Sequence, residues 1–209
     1  LLMVSFAVKL LLKRRTRLRV TRVAREKGRG AVATVRTPLT TTDEAQRSAE
    51  VTGLPLRPAI ATLVTQRSTA EGTHRARVDG AQALGLDPDL PTLLVTGGSL
   101  GAQHLNEVLS ESLDSLPTGL QVLHLTGKDK DAPVRAALEA AVAAGAPEEL
   151  TERYHVLDYL TTMEQAYACA DGVLCRSGAG TVAEITALGL PALYVPLPIG
   201  NGEEPPHTL

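Results

Sequence analysis

Gly97-Gly98-Ser99-Leu100-Gly101 admits two chemistries. As Gly-x-Ser-x-Gly it fits the elbow that presents a nucleophilic serine in α/β-hydrolases. As a glycine-rich turn between an apolar run and a helical run, it fits a cradle of backbone N–H groups around a phosphate. A second stretch of this kind, Arg176-Ser177-Gly178-Ala179-Gly180-Thr181, leads into a segment carrying Glu184. Glycine lets the backbone approach a ligand closely. The start of a helix adds unpaired N–H donors and partial positive charge, which suits a diphosphate. Glu184 falls about one helical turn further on, where a carboxylate can accept from both hydroxyls of a ribose. Thr181-x-x-Glu184 is equally a capping box that satisfies the helix itself, so both readings of Glu184 stand at this level.

These residues need elements to hold them, and the second half of the chain supplies a regular series. "PTLLVTGG", "LQVLHLTG", "YHVLDYL", "GVLCRSG" and "PALYVPLP" are short apolar runs closed by Gly, Pro or polar residues. Between them lie "AQHLNEVLSESL", "APVRAALEAAVAAG", "TMEQAYACA" and "GTVAEITALG", which carry helical spacing, the second and fourth stopping at Gly145 and Gly189. Strand and helix alternate, and the strands are continuously apolar. That pattern predicts a parallel sheet covered on both faces, an α/β fold of Rossmann-like type. Ligands of such sheets bind beyond the carboxyl ends of the strands, where both glycine stretches fall.

Bulk properties narrow the class. The chain has 209 residues, with 44% hydrophobic content but only one Phe, four Tyr and no Trp, so its core must come from Leu, Val and Ala. Cys169 and Cys175 have no ligand cluster around them and read as small buried hydrophobes. The net charge of −2 hides an asymmetry: residues 1–30 hold ten Lys/Arg and one Glu, net +9, leaving −11 for the rest. This opening is too short and too interrupted by Lys9 for a membrane span. It reads either as a peripheral anchor on anionic lipid or as a truncated end. Nucleic acid is not expected as a partner, since no aromatics interleave the basic residues.

The second glycine stretch weighs against the hydrolase. An elbow serine would need Asp158 or Asp171 and His207 as partners, and well-formed strands before it, of which residues 1–90 supply few. It would also leave Arg176–Thr181 without a purpose. Ser99 is therefore expected to be a phosphate ligand.

"TLLVTGGSLGAQHLNEVL", "QVLHLTGK", "CADGVLCRSGAGTVAEITALGLPALYVPLP" and "IGNGE" together resemble the C-terminal domain of the MurG family of bacterial cell-wall glycosyltransferases. "AEVTGLPLRPAIATL" resembles the segment leading into that domain, so the likeness runs over about residues 49–204 with a weak stretch near 64–80. The resemblance implies the GT-B architecture of two facing Rossmann-like domains, with an incomplete second domain here and most of the first absent. It divides the chain into a basic segment 1–48, an interdomain segment 49–90 and a UDP-sugar-binding domain 91–209. It implies transfer of N-acetylglucosamine from UDP-GlcNAc to undecaprenyl-pyrophosphoryl-MurNAc-pentapeptide, lipid I to lipid II, in peptidoglycan synthesis and hence cell shape and division. Such an enzyme would sit peripherally on the cytoplasmic face of the cell membrane. No metal and no cofactor are expected, the helix starts handling the diphosphate.

Carried over position by position, the resemblance puts Ser99 with Gly97, Gly98 and Gly101 on the diphosphate, and Glu184 on the ribose. Leu160 meets the uracil through its backbone, and Arg57 lies near the nucleotide. Arg176, Gly178 and Thr181 belong to the second loop, and Glu204 stands where the family has a glutamine contacting the sugar. The glycine-rich loop and histidine of the family's first domain have no counterpart, so no catalytic base is assigned. His104, His124 and His155 read as surface or strand histidines. The chain thus reads as a fragment or degenerate copy, expected to bind donor without turnover by itself. A non-catalytic UDP-sugar-binding module completed by a partner subunit is the alternative.

Overall fold

A computed structural model describes residues 54–98 and 103–195. Two helices come first, α1 (Pro58–Gln66) and α2 (Ala70–Leu84). The series then runs β1 (Thr92–Thr96), α3 (Gln103–Ser110), β2 (Gln121–Leu125), α4 (Asp131–Ala143), α5 (Glu149–Arg153) and β3 (Tyr154–Leu157). It closes with α6 (Met163–Cys169), β4 (Gly172–Arg176), α7 (Ala179–Leu188) and β5 (Ala192–Val195). A 3₁₀ turn, Leu113–Ser115, follows α3. Every strand foreseen in the sequence forms, each inside the run assigned to it. α2 and α7 stop where Gly85 and Gly189 take φ of +68° and +65°, the left-handed cap that glycine adopts without strain.

All five strands are parallel, in the order β3-β2-β1-β4-β5. Their apolar character follows from burial on both sides: every residue of β1 and of β2 is buried. Alternate side chains build two cores. Leu93, Val95, Val122 and Leu174 pack under α3, α4 and α5 with Leu105, Leu109, Val134 and Leu138. Leu94, Leu123, Val173 and Cys175 face the other way, onto Ile60, Tyr167, Ile185 and their neighbours from α1, α6 and α7. Each fully buried Leu or Val contributes roughly 1.5–3 kcal/mol relative to exposure. Cys169 and Cys175 are free, buried thiols, both pushed up to about 11 chiefly by desolvation.

The segment before β1 is not a passive connector. α2 lies so close to α6 that a Cβ on Gly80 would stand 2.8 Å from the Gln165 carbonyl oxygen and 3.0 Å from Cys169 Sγ. Arg77 then clamps α2 to the N-terminal edge of the sheet. Its guanidinium donates to the carbonyls of Pro88 (2.6 Å), Leu90 (2.6 Å) and Cys169 (2.8 Å), and to Asp171 Oδ2 (3.0 Å). Asp171 Oδ2 also accepts from the Thr92 N–H at 2.9 Å, where β1 begins.

Candidate functional site

The sheet progresses from β1 through β2 to β3 on one side and from β4 to β5 on the other, so its direction of winding reverses between β1 and β4. Strand ends diverge there and leave a crevice at the carboxyl edge. Thr96 pairs with Cys175 in register, so β1 and β4 end within one residue of each other, at Thr96 and Arg176. The two glycine stretches, some eighty residues apart in sequence, therefore issue from adjacent strands at the switch point.

A cleft of about 170 Å³ opens at this edge, lined by Arg57, Thr96, Gly98, Leu125, Gly127, Asp158, Tyr159, Leu160, Met163, Tyr167, Thr181 and Glu184. Typical small-molecule sites span ~300–1,000 Å³, so the described walls enclose part of a nucleotide-sized ligand. Of the residues singled out from sequence, Arg57, Gly98, Leu160, Thr181 and Glu184 meet here. Gly97 adjoins, half-buried at the end of β1. Gly178 is the N-cap of α7. Arg176 does not line the cleft; its Nη1 donates to the Val195 carbonyl of β5 at 3.4 Å. Ser99, Gly101, Glu204 and His207 lie outside the described residues.

Glu184 resolves against the capping box. The N-cap of α7 is Gly178, which places Thr181 at the third helical position and Glu184 beyond the first turn. No side chain caps the helix there, so its first N–H groups face outward unclaimed by a capping residue. Glu184 is held instead from outside its helix. Arg57 Nε donates to Oε1 at 2.6 Å and Nη2 to Oε2 at 2.8 Å, a two-pronged guanidinium–carboxylate pair. The Glu184 side chain is 10% exposed and that of Arg57 50%. Bonding to the carboxylate raises the Arg57 pKa further above its already basic value. Tyr167, fully buried on α6, has its phenol pushed up, first by burial and then by the charge and hydrogen bond of Glu184. The hydroxyl stays protonated and can donate to that carboxylate.

Several lining residues escaped the sequence reading. Gly127, in "LTGK" after β2, carried the same strand-then-glycine signal as the two loops singled out. Tyr167 sits in an Ala-rich run that reads only as core. Tyr159, half exposed beside Leu160, has its N–H bonded to Asp158 Oδ1 at 2.7 Å.

Of the hydrolase partners, Asp171 stands at the N-terminal edge of the sheet, the opposite end from Gly98, and is occupied by Arg77 and Thr92. Two Asp-x-Asp spacings occur in the chain, Asp87/Asp89 and Asp129/Asp131. None of the four lines the cleft, and Asp131 is tied to Arg135 at 2.9 Å. Among the described residues no group of three or more His, Cys, Asp or Glu side chains converges as a metal site would require.

A doubly wound parallel sheet with glycine turns at its switch point defines a Rossmann-like domain, the class that takes nucleotides at that edge. Residues 92–205 match the glycosyltransferase family 28 C-terminal domain, and the chain belongs to that family. A UDP-N-acetylglucosamine–N-acetylmuramyl-(pentapeptide) pyrophosphoryl-undecaprenol N-acetylglucosamine transferase from Bifidobacterium longum is 50% identical over 163 residues, 74% of this chain and 40% of that protein. The transferase of the same name from Streptomyces coelicolor is 46% identical over 167 residues, 79% of this chain and 41% of that one. A crystal structure of MurG from Acinetobacter baumannii, 35% identical, covers 60% of this chain and 33% of its own, with a TM-score of 0.46. The chain thus spans about two fifths of the length of the curated relatives it matches. Among the described residues no helix is long and apolar enough to cross a membrane.

Proposed function

We propose that the chain is the donor-binding part of an N-acetylglucosaminyltransferase that uses UDP-GlcNAc and, in the whole enzyme, the lipid-linked acceptor lipid I. On this reading the uracil lies against the Leu160 backbone and the ribose on Glu184. The diphosphate sits between the turn of Gly97, Gly98, Ser99 and Gly101 and the start of α7 at Gly178 and Thr181. Arg57 orients Glu184, Arg176 supports the second loop, and Glu204 reaches the sugar. Residues 91–209 form the donor domain, entered through 49–90, and the basic segment 1–48 meets anionic lipid on the cytoplasmic face of the membrane. The product, lipid II, feeds peptidoglycan synthesis and through it cell shape and division.

The observation that carries this reading is Glu184. Its carboxylate is fixed by an arginine from a different element, faces a cleft at the switch point, and does no work for its own helix. An ionised carboxylate offers about four acceptor positions; Arg57 takes two and the Tyr167 hydroxyl can take a third, leaving room for a ribose hydroxyl. In the transfer an acceptor hydroxyl oxygen attacks the anomeric carbon, its proton passing to a base elsewhere in the whole enzyme. The bond from that carbon to the diphosphate breaks with inversion. UDP leaves with the electron pair, its growing charge met by the N–H groups opening α7. Calorimetry of the 209-residue chain with UDP, UDP-GlcNAc, ADP and NAD tests the donor assignment. The uridine nucleotides are expected to bind more tightly, and equal binding of NAD would overturn it.

A further inference from the structure

One wall of the cleft comes from the ends of two neighbouring strands: Leu125 and Gly127 at the end of β2, and Asp158, Tyr159 and Leu160 after β3. In the described sheet β3 lies at one edge, paired with β2 alone, and the registered pairing of the two stops at Leu125 and Leu157. Thr126 keeps the two chains together past that point. Its N–H donates to the Leu157 carbonyl at 2.9 Å. Its hydroxyl donates to the same oxygen at 3.2 Å, with the Gly127 carbonyl further off at 3.4 Å. Its own carbonyl accepts from Asn106 Nδ2 at 3.0 Å. Thr126 has no exposed surface, so a valine would fill the same space without burying a hydroxyl.

The chain leaves the sheet at Leu157 and reaches Leu160 three residues later. A carbonyl has two lone pairs, and with both directed at one residue the peptide joining Leu157 to Asp158 is fixed in orientation. The next peptide is held as well. Tyr159 N–H donates to Asp158 Oδ1 at 2.7 Å, the kind of local bond by which an aspartate shapes a turn. Leu160 is then left open: among the described residues none accepts from its N–H or donates to its carbonyl, and it is only partly buried in the cleft wall. A free donor beside a free acceptor complements an imide edge, the O4 and N3–H of uracil. Cytosine presents the opposite pattern there, an amino donor at C4 and an acceptor at N3.

We propose that Thr126 and Asp158 are positioning residues that set the preference for uracil. Thr126 anchors the start of segment 158–160 to β2, and Asp158 bends that segment so that the Leu160 N–H and carbonyl meet the base together. The inference rests on the assignment of the uracil to the Leu160 backbone. A merely structural bond, once lost, would lower stability and leave the choice of base unchanged. A positioning bond, once lost, lowers the preference for uracil over cytosine, while the ribose and diphosphate shared by both nucleotides cancel.

The test compares UDP with CDP on the full chain, by calorimetry well below the unfolding temperature of each variant. The native chain is expected to prefer UDP about tenfold; equal binding of CDP overturns the Leu160 assignment itself, and this inference with it. Thr126→Val keeps the shape and the backbone N–H but removes the hydroxyl. The preference is expected to fall about fivefold, and Thr126→Ser to restore most of it. Asp158 is exposed, so Asp158→Ala is expected to fold even where Thr126→Val does not. There the preference should fall about threefold and return in Asp158→Asn, which keeps an acceptor oxygen. A UDP-to-CDP preference unchanged from the native chain in either Thr126→Val or Asp158→Ala overturns the proposal, whatever happens to stability.

Discussion

Two arginines tie the helical segment before β1 to the sheet, one at each edge, and the contrast between them separates architecture from site. At the N-terminal edge Arg77 and Asp171 are 14% and 12% exposed, and the guanidinium is spent on three carbonyls and on the carboxylate, which also accepts from the first N–H of β1. At the carboxyl edge Arg57 and Glu184 make the same kind of pair, but half of Arg57 is open to solvent and the carboxylate fronts a cleft. The guanidinium is nearly saturated in one place and left half open to solvent beside a cleft in the other. A saturated buried pair holds elements together, while an unsaturated one beside a cleft is available to a ligand.

The largest effect that would break this contrast is expected at the saturated end. Arg77→Met leaves Asp171 buried without its cation and several carbonyls without their donor. Loss of one partner of a buried pair costs about 3–5 kcal/mol. Urea unfolding should show that loss, while UDP affinity of the folded fraction stays within about twofold. A drop in affinity with stability retained would reverse the roles assigned to the two edges.

A neutral contact sharpens the comparison: the buried His124 of β2 has its Nε2 3.0 Å from Asn106 Oδ1 of α3. His124 has its pKa depressed from 6.5 to about 4 by burial. The unfolded chain therefore takes up a proton that the folded chain refuses. The group's contribution is complete above pH 6.5, declines as pH falls, and is gone near pH 4, a loss of about 3 kcal/mol. His124→Leu should flatten this part of the stability profile between pH 6.5 and 4. Parallel profiles for the two proteins would mean that His124 does not set the acid response.

At the unsaturated end the expected signs are opposite to those for Arg77. Glu184→Gln keeps the shape but removes the charge that grips Arg57 and, on the proposed reading, the ribose. Hydrogen bonds to charged groups are worth ~1.5–3 kcal/mol, so UDP affinity should fall by that amount. A half-exposed ion pair contributes only ~0–1 kcal/mol, so the unfolding midpoint should barely move. A large fall in stability with intact affinity would return Glu184 to a structural role.

The sheet was legible because strands buried on both faces leave continuous apolar runs, as "TLLVT" and "QVLHL" do. α2 was not, and the reason is physical. It meets α6 through Gly80 and Ala81, small residues that allow close approach and leave no apolar stripe, while its other positions are largely polar. α5, five residues long, is too short to show a period. In the site, Gly98, Thr181 and Glu184 were legible as glycine turns and helix starts. Arg57 was readable only through family resemblance, because nothing in "GLPLR" indicates a partner 127 positions away. Tyr167 was hidden because a buried tyrosine on a small-residue helix looks like core until its hydroxyl is seen to reach a carboxylate.

That hydroxyl supports the smallest effect and the finest test of the contrast. Tyr167 is 1% exposed, belongs to the core, and also lines the cleft. If Glu184 has acceptor positions to spare, the phenol and the ribose bind it together, and the phenol serves to aim the carboxylate. Tyr167→Phe then removes an orienting donor without opening a cavity, and UDP affinity should fall by ~0.5–1.5 kcal/mol. If instead Arg57 and Tyr167 already saturate Glu184, the ribose must displace one of them, and the same substitution should tighten UDP binding. Calorimetry distinguishes the two by sign. A gain in affinity would mean that the carboxyl edge resembles the Arg77 clamp more closely than its exposure suggests.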